Sequence, residues 1–260
     1  MDLGLAGKVA LVTGSSRGIG ASIAEGLAAE GCDVMLTGRD EAALKDVAAA
    51  IAKRGRKAQF STLDLSDAKA PAALVADVKK HFGKLDILVN NAGATKRGDF
   101  RELTDTDWRD GFELKFFAHV RLAREAWPLL TVSKGTVVTI AGIGGKEPEA
   151  EFGIGSSVNA ACMAWTKALA DVGKKEGVQV NTVNPGRVET ERLWRRIRAR
   201  VKETGESEAN IRGEYLKEFN ITRFGLVDDI AGLIAFMASP HGRWLHGATI
   251  DMDGGEVRGI

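Results

Sequence analysis

The chain has 260 residues, 44% of them hydrophobic, enough to bury one sizeable core, so a single α/β domain spanning residues 1–260 is expected. Its 36 Lys and Arg balance 35 Asp and Glu, and a net charge of +1 offers no general attraction to nucleic acid or to a membrane surface. No stretch reaches the roughly 18 apolar residues of a membrane span, and the opening MDLGLAGKVALVTG has no basic segment leading into a long apolar run, so a soluble cytoplasmic protein acting on a small molecule is predicted.

Short β-branched runs alternate with helical patterns: strands are predicted at 9–13, 34–37, 58–62, 87–90, 136–140, 178–183 and 248–251. Strands separated by helices imply right-handed crossovers, and hence a Rossmann-type doubly wound parallel sheet with helices on both faces. The first strand runs into Thr13-Gly14-Ser15-Ser16-Arg17-Gly18-Ile19-Gly20, and a helical pattern starts at Ala21. Glycines there permit a tight turn and a close approach of backbone to a pyrophosphate, and the helix N-terminus offers unpaired N–H groups to the anion. Gly14, Gly18 and Gly20 are the candidates for this work, with Ser16, Arg17 and Ile19 between them. After the second strand comes Gly38-Arg39, where an NAD-selective site would carry an acid against the ribose 2′-hydroxyl. Arg39 with Arg17 suits a 2′-phosphate instead, so NADP(H) is expected ahead of NAD(H); the alternative is that both arginines are solvated surface charges.

Further along stand Asp64-Leu65 after the third strand, Asn90-Asn91-Ala92-Gly93 after the fourth, Asn184-Pro185-Gly186 after the sixth, Arg223-Phe224-Gly225, and Asp251-Met252-Asp253-Gly254-Gly255 at the last. With TGSSRGIG at 13–20, this order resembles the short-chain dehydrogenase/reductase family nearly end to end. The resemblance implies an oxidoreductase in which Asp64 and Leu65 lie by the adenine, Asn90, Ala92 and Gly93 on the ribose side, and Pro185, Gly186, Val188 and Thr190 near the nicotinamide.

The resemblance also implies a catalytic tetrad of Asn, Ser, Tyr and Lys, and here the pattern departs. Registering 136–140 on the family's fifth strand puts Gly142 at the serine position, while the helix that follows puts Gly155 at the tyrosine and Asn159 at the lysine. Counting from Trp108 puts Lys115 at the asparagine position, and the one tyrosine, Tyr215, lies some sixty residues beyond Gly155. Lys115 and Asn159 thus read either as an exchanged pair or as independent drift. Candidate catalytic residues are Lys115, Asn159 and Ser156, with Ser157, Glu151 and Lys146 as further substitutes; Ser156 and Ser157 could equally bond the helix backbone, and Glu149 and Glu151 favour a helix dipole.

The charged segment 189–224 is predicted to form a helical substrate lid, and Arg192, Arg195, Arg196, Arg198, Arg200 and Lys202 around Trp194 suit either an anionic ligand or a solvated helix face. The histidines His81, His119, His241 and His246 are scattered and read as packing or surface residues, Cys32 and Cys162 as free thiols, and no metal site is expected. Long helices at 107–130 and 155–174 correspond in the family to those that pair across a dimer, so a homodimer or homotetramer is expected. Two readings of function follow: an NADP(H)-dependent oxidoreductase of an unknown carbonyl or alcohol with a rearranged site, or a nucleotide-binding pseudoenzyme serving as sensor, scaffold or partner subunit. Non-redox chemistry on the same fold is a third.

Overall fold

In the computed structural model, which describes residues 2–259, the β-branched runs become β1 (Val9–Thr13), β2 (Asp33–Gly38), β3 (Ala58–Thr62), β4 (Ile87–Asn90), β5 (Thr136–Ile140), β6 (Gln179–Pro185) and β7 (Thr249–Met252). They form one seven-stranded parallel sheet in the order β3-β2-β1-β4-β5-β6-β7. Each central strand, β1, β4, β5 and β6, is buried along its whole length, whereas the edge strands β3 and β7 are only half-buried. Continuous apolar runs are what a sheet covered on both faces requires.

Alternate residues of β1 serve opposite faces, as the two-residue period of a strand dictates. Ala10 and Val12 pack with Ile23 and Leu27 of α1 (Gly18–Ala29), Leu44 and Ile51 of α2 (Glu41–Ala52), and Ile230 and Ile234 of α9 (Val227–Ala238). Val9 and Leu11 pack with Leu74 and Val78 of α3 (Ala70–Phe82), Leu122 and Leu130 of α5 (Ala118–Ser133), and Ala170 of α6 (Gly153–Glu176). None of the helices among the described residues is long and apolar enough to cross a membrane.

The single helix predicted at 107–130 is corrected. It begins as α4 (Asp105–Gly111), widens into a π-helical turn over Phe112–Phe117, and resumes as α5. A π turn adds one residue to one helical circuit, which rotates the side chains after it without changing the apolar composition that a periodicity search reads. Its N-terminus is held by a capping box in which Thr104 and Asp107 satisfy each other's backbone N–H groups. The charged segment forms α7 (Glu191–Thr204) and α8 (Glu208–Glu218), which close a small core of their own around Leu193, Ile197, Ile211, Ile221 and Phe224. Leu193, Ile197 and Val201 recur at four-residue intervals, so one stripe of α7 is apolar and its arginines are left to the other faces.

Strand order reverses between β1 and β4, and the crevice outside the carboxyl ends of these strands is where an open α/β sheet receives ligands. Thr13 joins the two strands there. Its hydroxyl accepts the backbone N–H groups of Asn91 (2.8 Å) and Ala92 (2.9 Å) and donates to the Val89 carbonyl (3.3 Å), and it is fully buried. Thr13→Val keeps the shape and strands the buried Ala92 N–H, so it should lower stability by about 2 kcal/mol. A urea midpoint equal to that of the parent chain would show that the joint carries no such load.

Candidate active site

The turn between β1 and α1 is built to bring backbone close to a bulky anion. Gly14 and Gly18 have φ of +64° and +57°, a region that costs other residues strain, and a Cβ on Gly20 would overlap the Gly14 carbonyl. The Asn91 side chain seals the turn from below, donating to the carbonyls of Thr13 (2.8 Å) and Gly14 (3.3 Å). Across the crevice, Thr190 lies against Gly18, and a Cβ on Gly186 would come 2.7 Å from Asp253 Cα. This cradle of bare backbone at a helix N-terminus fits a dinucleotide's pyrophosphate.

Ser16 packs by Gly38 at the end of β2, and Ile19 against the core on the α1 side. Arg17 and Arg39 stand exposed on the adjoining loops, with Arg17 3.1 Å from Asp40 and Arg39 3.7 Å from Asp64. Asp64 accepts the backbone N–H (3.0 Å) and hydroxyl (2.7 Å) of Ser66, and these donors hold its carboxyl below the usual range. Both arginine pairs are long or solvated, so neither guanidinium is committed. Leu65 sends its side chain into the core, leaving only its backbone for the crevice, and Val188 is likewise a core residue. Asn90 is fully buried with both ends of its amide unpartnered. The residue that ties the turn together is its neighbour Asn91, for which the only sequence signal was the Asn-Asn doublet.

The π turn delivers Lys115 to the carboxyl end of β5. Its Nζ donates to the Ala141 carbonyl (2.6 Å) and to Asn159 Oδ1 (2.7 Å), and its stem lies so close to Gly93 that a Cβ there would be 2.7 Å from Lys115 Cδ. Both partners are neutral. An ammonium carries three donors, so one N–H is left over. Desolvation pushes the Lys115 pKa down to about 8, Cys162 opposing and Arg192 reinforcing the shift. Gly142, with φ of +135°, lies against the other end of the Asn159 carboxamide, and a Cβ on Gly155 would run into the Phe152 ring.

The sequence profile of the short chain dehydrogenases matches residues 8–200. The chain belongs to this family. It is 30% identical to a 3-oxoacyl-(acyl-carrier-protein) reductase of Salmonella typhimurium over 96% of this chain and 97% of that one, and 33% identical to elsinochrome reductase 1 of Elsinoe fawcettii over 96% and 94%. Among solved structures it is similar to L-sorbose reductase from Gluconobacter frateurii complexed with NADPH and L-sorbose, with a TM-score of 0.97 at 32% identity and complete coverage of both chains. A short chain dehydrogenase from Burkholderia cenocepacia in complex with NADP has a TM-score of 0.85 at 33% identity over 97% of this chain and 98% of that one.

Of the residues that the resemblance compares with the tetrad, Lys115 bonds Asn159, Gly142 lies against the Asn159 carboxamide, and Gly155 lies against the Phe152 ring. Ser156 is buried one turn before Asn159 on α6, its hydroxyl without a partner, so it does not bond the helix backbone. The other substitutes, and the one tyrosine, stand apart. Ser157 and Glu151 are exposed, Lys146 pairs with Asp251 at 2.7 Å, and Tyr215 packs on Phe219 in the α7–α8 core. Glu149, at the entry to the short turn before α6, bridges Arg97 (2.5 Å) and Arg187 (2.8 Å), and Arg187 reaches on to Glu256 (2.9 Å). That network ties the loops after β4 and β6, the entry to α6 and the C-terminal tail into one rim.

His119, one helical turn beyond Lys115, is fully buried with Nε2 2.9 Å from the Ala92 carbonyl and Nδ1 3.9 Å from the Cys162 sulfur. Because Ala92 offers only an acceptor, neutral His119 carries its proton on Nε2 and supports the loop that faces the ribose side. Desolvation, helped by Lys115, pushes its pKa down to about 3. From the ordinary His value of about 6.5 down to about 3, the unfolded chain binds a proton that the folded chain does not, so stability falls with falling pH in that window. His119→Gln should flatten the decline in urea midpoint between neutral pH and the acid limb; an unchanged slope would assign the acid sensitivity to other groups.

Proposed function

We propose that the protein is an NADP(H)-dependent oxidoreductase, one domain over 1–260 with α7 and α8 as a lid, which interconverts a small carbonyl compound and its alcohol in the cytoplasm with Lys115 as the proton donor. The observation that carries this reading is the Lys115 ammonium held by two neutral acceptors with a third N–H to spare. The bound dihydronicotinamide supplies the hydride. On the protein's side, Asn159 and the Ala141 carbonyl orient Nζ; the carbonyl oxygen of the substrate keeps the electron pair of the broken π bond and takes a proton from Lys115, which regains one from solvent. In the reverse direction the neutral amine accepts that proton. Asn159 therefore acts as a positioning residue, and Ser156, unpartnered on the same helix, is a further candidate for contact with substrate.

The cradle of Gly14, Gly18, Gly20 and Gly186, with Ser16, Ile19, Asn90, Ala92, Gly93, Pro185, Val188 and Thr190 around it, would hold the cofactor, while Arg17 and Arg39 would take the 2′-phosphate and Asp64 and the Leu65 backbone border the adenine. Gly38-Arg39 in place of an acid favours NADP(H) over NAD(H), as do the NADPH and NADP complexes of the similar structures. A homodimer or homotetramer pairing through α5 and α6 suits the exposed Val132 and Val172 on those helices.

The first experiment is NADPH and NADH binding, followed by NADPH oxidation across ketones, aldehydes and sugars. Binding with turnover supports the reading; binding without turnover across the panel favours a pseudoenzyme. Arg39→Ala should weaken NADPH roughly tenfold or more and leave NADH unchanged. An unchanged ratio of the two affinities would refute the phosphate role.

Lys115→Met should cost about 10² to 10⁴ in kcat, the worth of a positioned acid. The titratable or charged groups facing Lys115 are Cys162 on α6, Arg192 on α7 and His119 on its own helix. Since the ammonium is the acid, kcat/KM for reduction should be level below about 8 and fall as pH rises through it, with the opposite limb for oxidation. Persistence of that limb in Lys115→Met would assign it to another group.

A further inference from the structure

The arginines of α7 are not equivalent. Arg198 pairs with Glu191 and Arg200 with Glu203, so both are neutralised within their own helix. Arg192 has no carboxylate within ion-pair distance among the described residues. It reaches across the crevice and donates to the Gly93 carbonyl at 3.3 Å, the residue against which the Lys115 stem lies. The Lys115 stem and the Arg192 guanidinium thus both border Gly93, and each cation is hydrogen-bonded only to neutral oxygens: Arg192 lowers the Lys115 pKa, and desolvation with Arg195 lowers that of Arg192. Arg192 is exposed at the mouth and Lys115 half-buried behind it, and two neighbouring cations without a carboxylate between them favour an anion that can join them.

We propose that Arg192 and Lys115 form an anion subsite at the reacting end of the crevice, which selects carbonyl substrates bearing a carboxylate. The proposal rests on the reading of Lys115 as the substrate's proton donor. The same guanidinium chemistry would also receive a cofactor phosphate, but the residue that adjoins the Gly-rich turn is Thr190, at Gly18, whereas Arg192 extends to Gly93 and the lysine. Arg192 closes the crevice mouth as a strap and exchanges the Gly93 carbonyl for the stronger, bidentate bond to a carboxylate when substrate enters.

The test uses the full chain saturated with NADP⁺, titrated with malonate and with dimethyl malonate in a calorimeter. Malonate should bind and its diester should not. Arg192→Gln should weaken malonate at least tenfold while changing the Kd of NADPH less than twofold, and Arg200→Gln, which removes the same charge from the far end of α7, should leave malonate binding unchanged. In turnover, Arg192→Gln should lower kcat/KM for acetoacetate at least tenfold relative to methyl acetoacetate. No malonate binding, equal weakening by Arg200→Gln, or an NADPH affinity that falls in step with malonate would overturn the subsite, the last by assigning Arg192 to the cofactor's phosphates. Arg192-dependent malonate binding with no turnover of either ester or acid would uphold the subsite and refute the proton-donor role of Lys115.

Discussion

The buried hydroxyl of Thr13 is the constraint on which the crevice depends. A parallel sheet can reverse its winding order only by leaving two neighbouring strands whose carboxyl ends diverge, and that divergence exposes backbone N–H groups with no strand partner. Thr13 satisfies two of them at once, on Asn91 and Ala92, and Asn91 returns two hydrogen bonds to the carbonyls of Thr13 and Gly14. The Gly-rich turn and the Asn-Asn-Ala-Gly loop are therefore one rigid unit. His119 extends it by holding the Ala92 carbonyl from beneath, so the support of the cofactor loop reaches down to the helix that carries Lys115.

That helix owes its reach to the π turn over Phe112–Phe117. With regular α geometry throughout, the residues after Gly111 would be rotated relative to α6, and Lys115 and His119 could not both keep the partners they have. The packing that accommodates the wider turn is visible on each side: Gly111 lets Ile154 of α6 approach, and Phe116 meets Phe112 and Trp165 edge-on with ring centroids 6.1 and 6.5 Å apart. The cost of the looser hydrogen-bond ladder is offset by these aromatic contacts and by two bonds from the ammonium to Ala141 and Asn159.

Much of the fold was legible because its signals are local. Buried parallel strands read as β-branched runs, and Gly14, Gly18 and Gly20 announce themselves through the turn that follows β1. The joint at Thr13 was not legible, because its partners lie 78 and 79 residues away and a threonine ending a strand has no distinctive neighbourhood. Nor was the π turn, whose apolar pattern is that of an ordinary helix. The Glu149 bridge between Arg97 and Arg187 escaped for the same reason as Thr13: each member reads as a surface charge until three loops are brought together. The Lys115 and Asn159 pair was reached from the sequence only through the family resemblance, and even then exchange and drift were equally open.

The two side chains of that pair are direct hydrogen-bond partners. A lysine at 115 needs acceptors for its ammonium and room for its stem; Asn159 and Ala141 supply the first and Gly93 the second. A lysine at 159 would set two ammonium groups against each other. Gly155 belongs to the same arrangement, since the Phe152 ring lies where any side chain at 155 would begin, and Arg97 stacks on that ring with its guanidinium carbon 4.3 Å from the centroid. The Phe152 ring joins the Arg97–Glu149–Arg187 rim to Gly144, which Asn159 also borders. Any side chain at 155 would displace the Phe152 ring, and with it the surface on which Arg97 stacks.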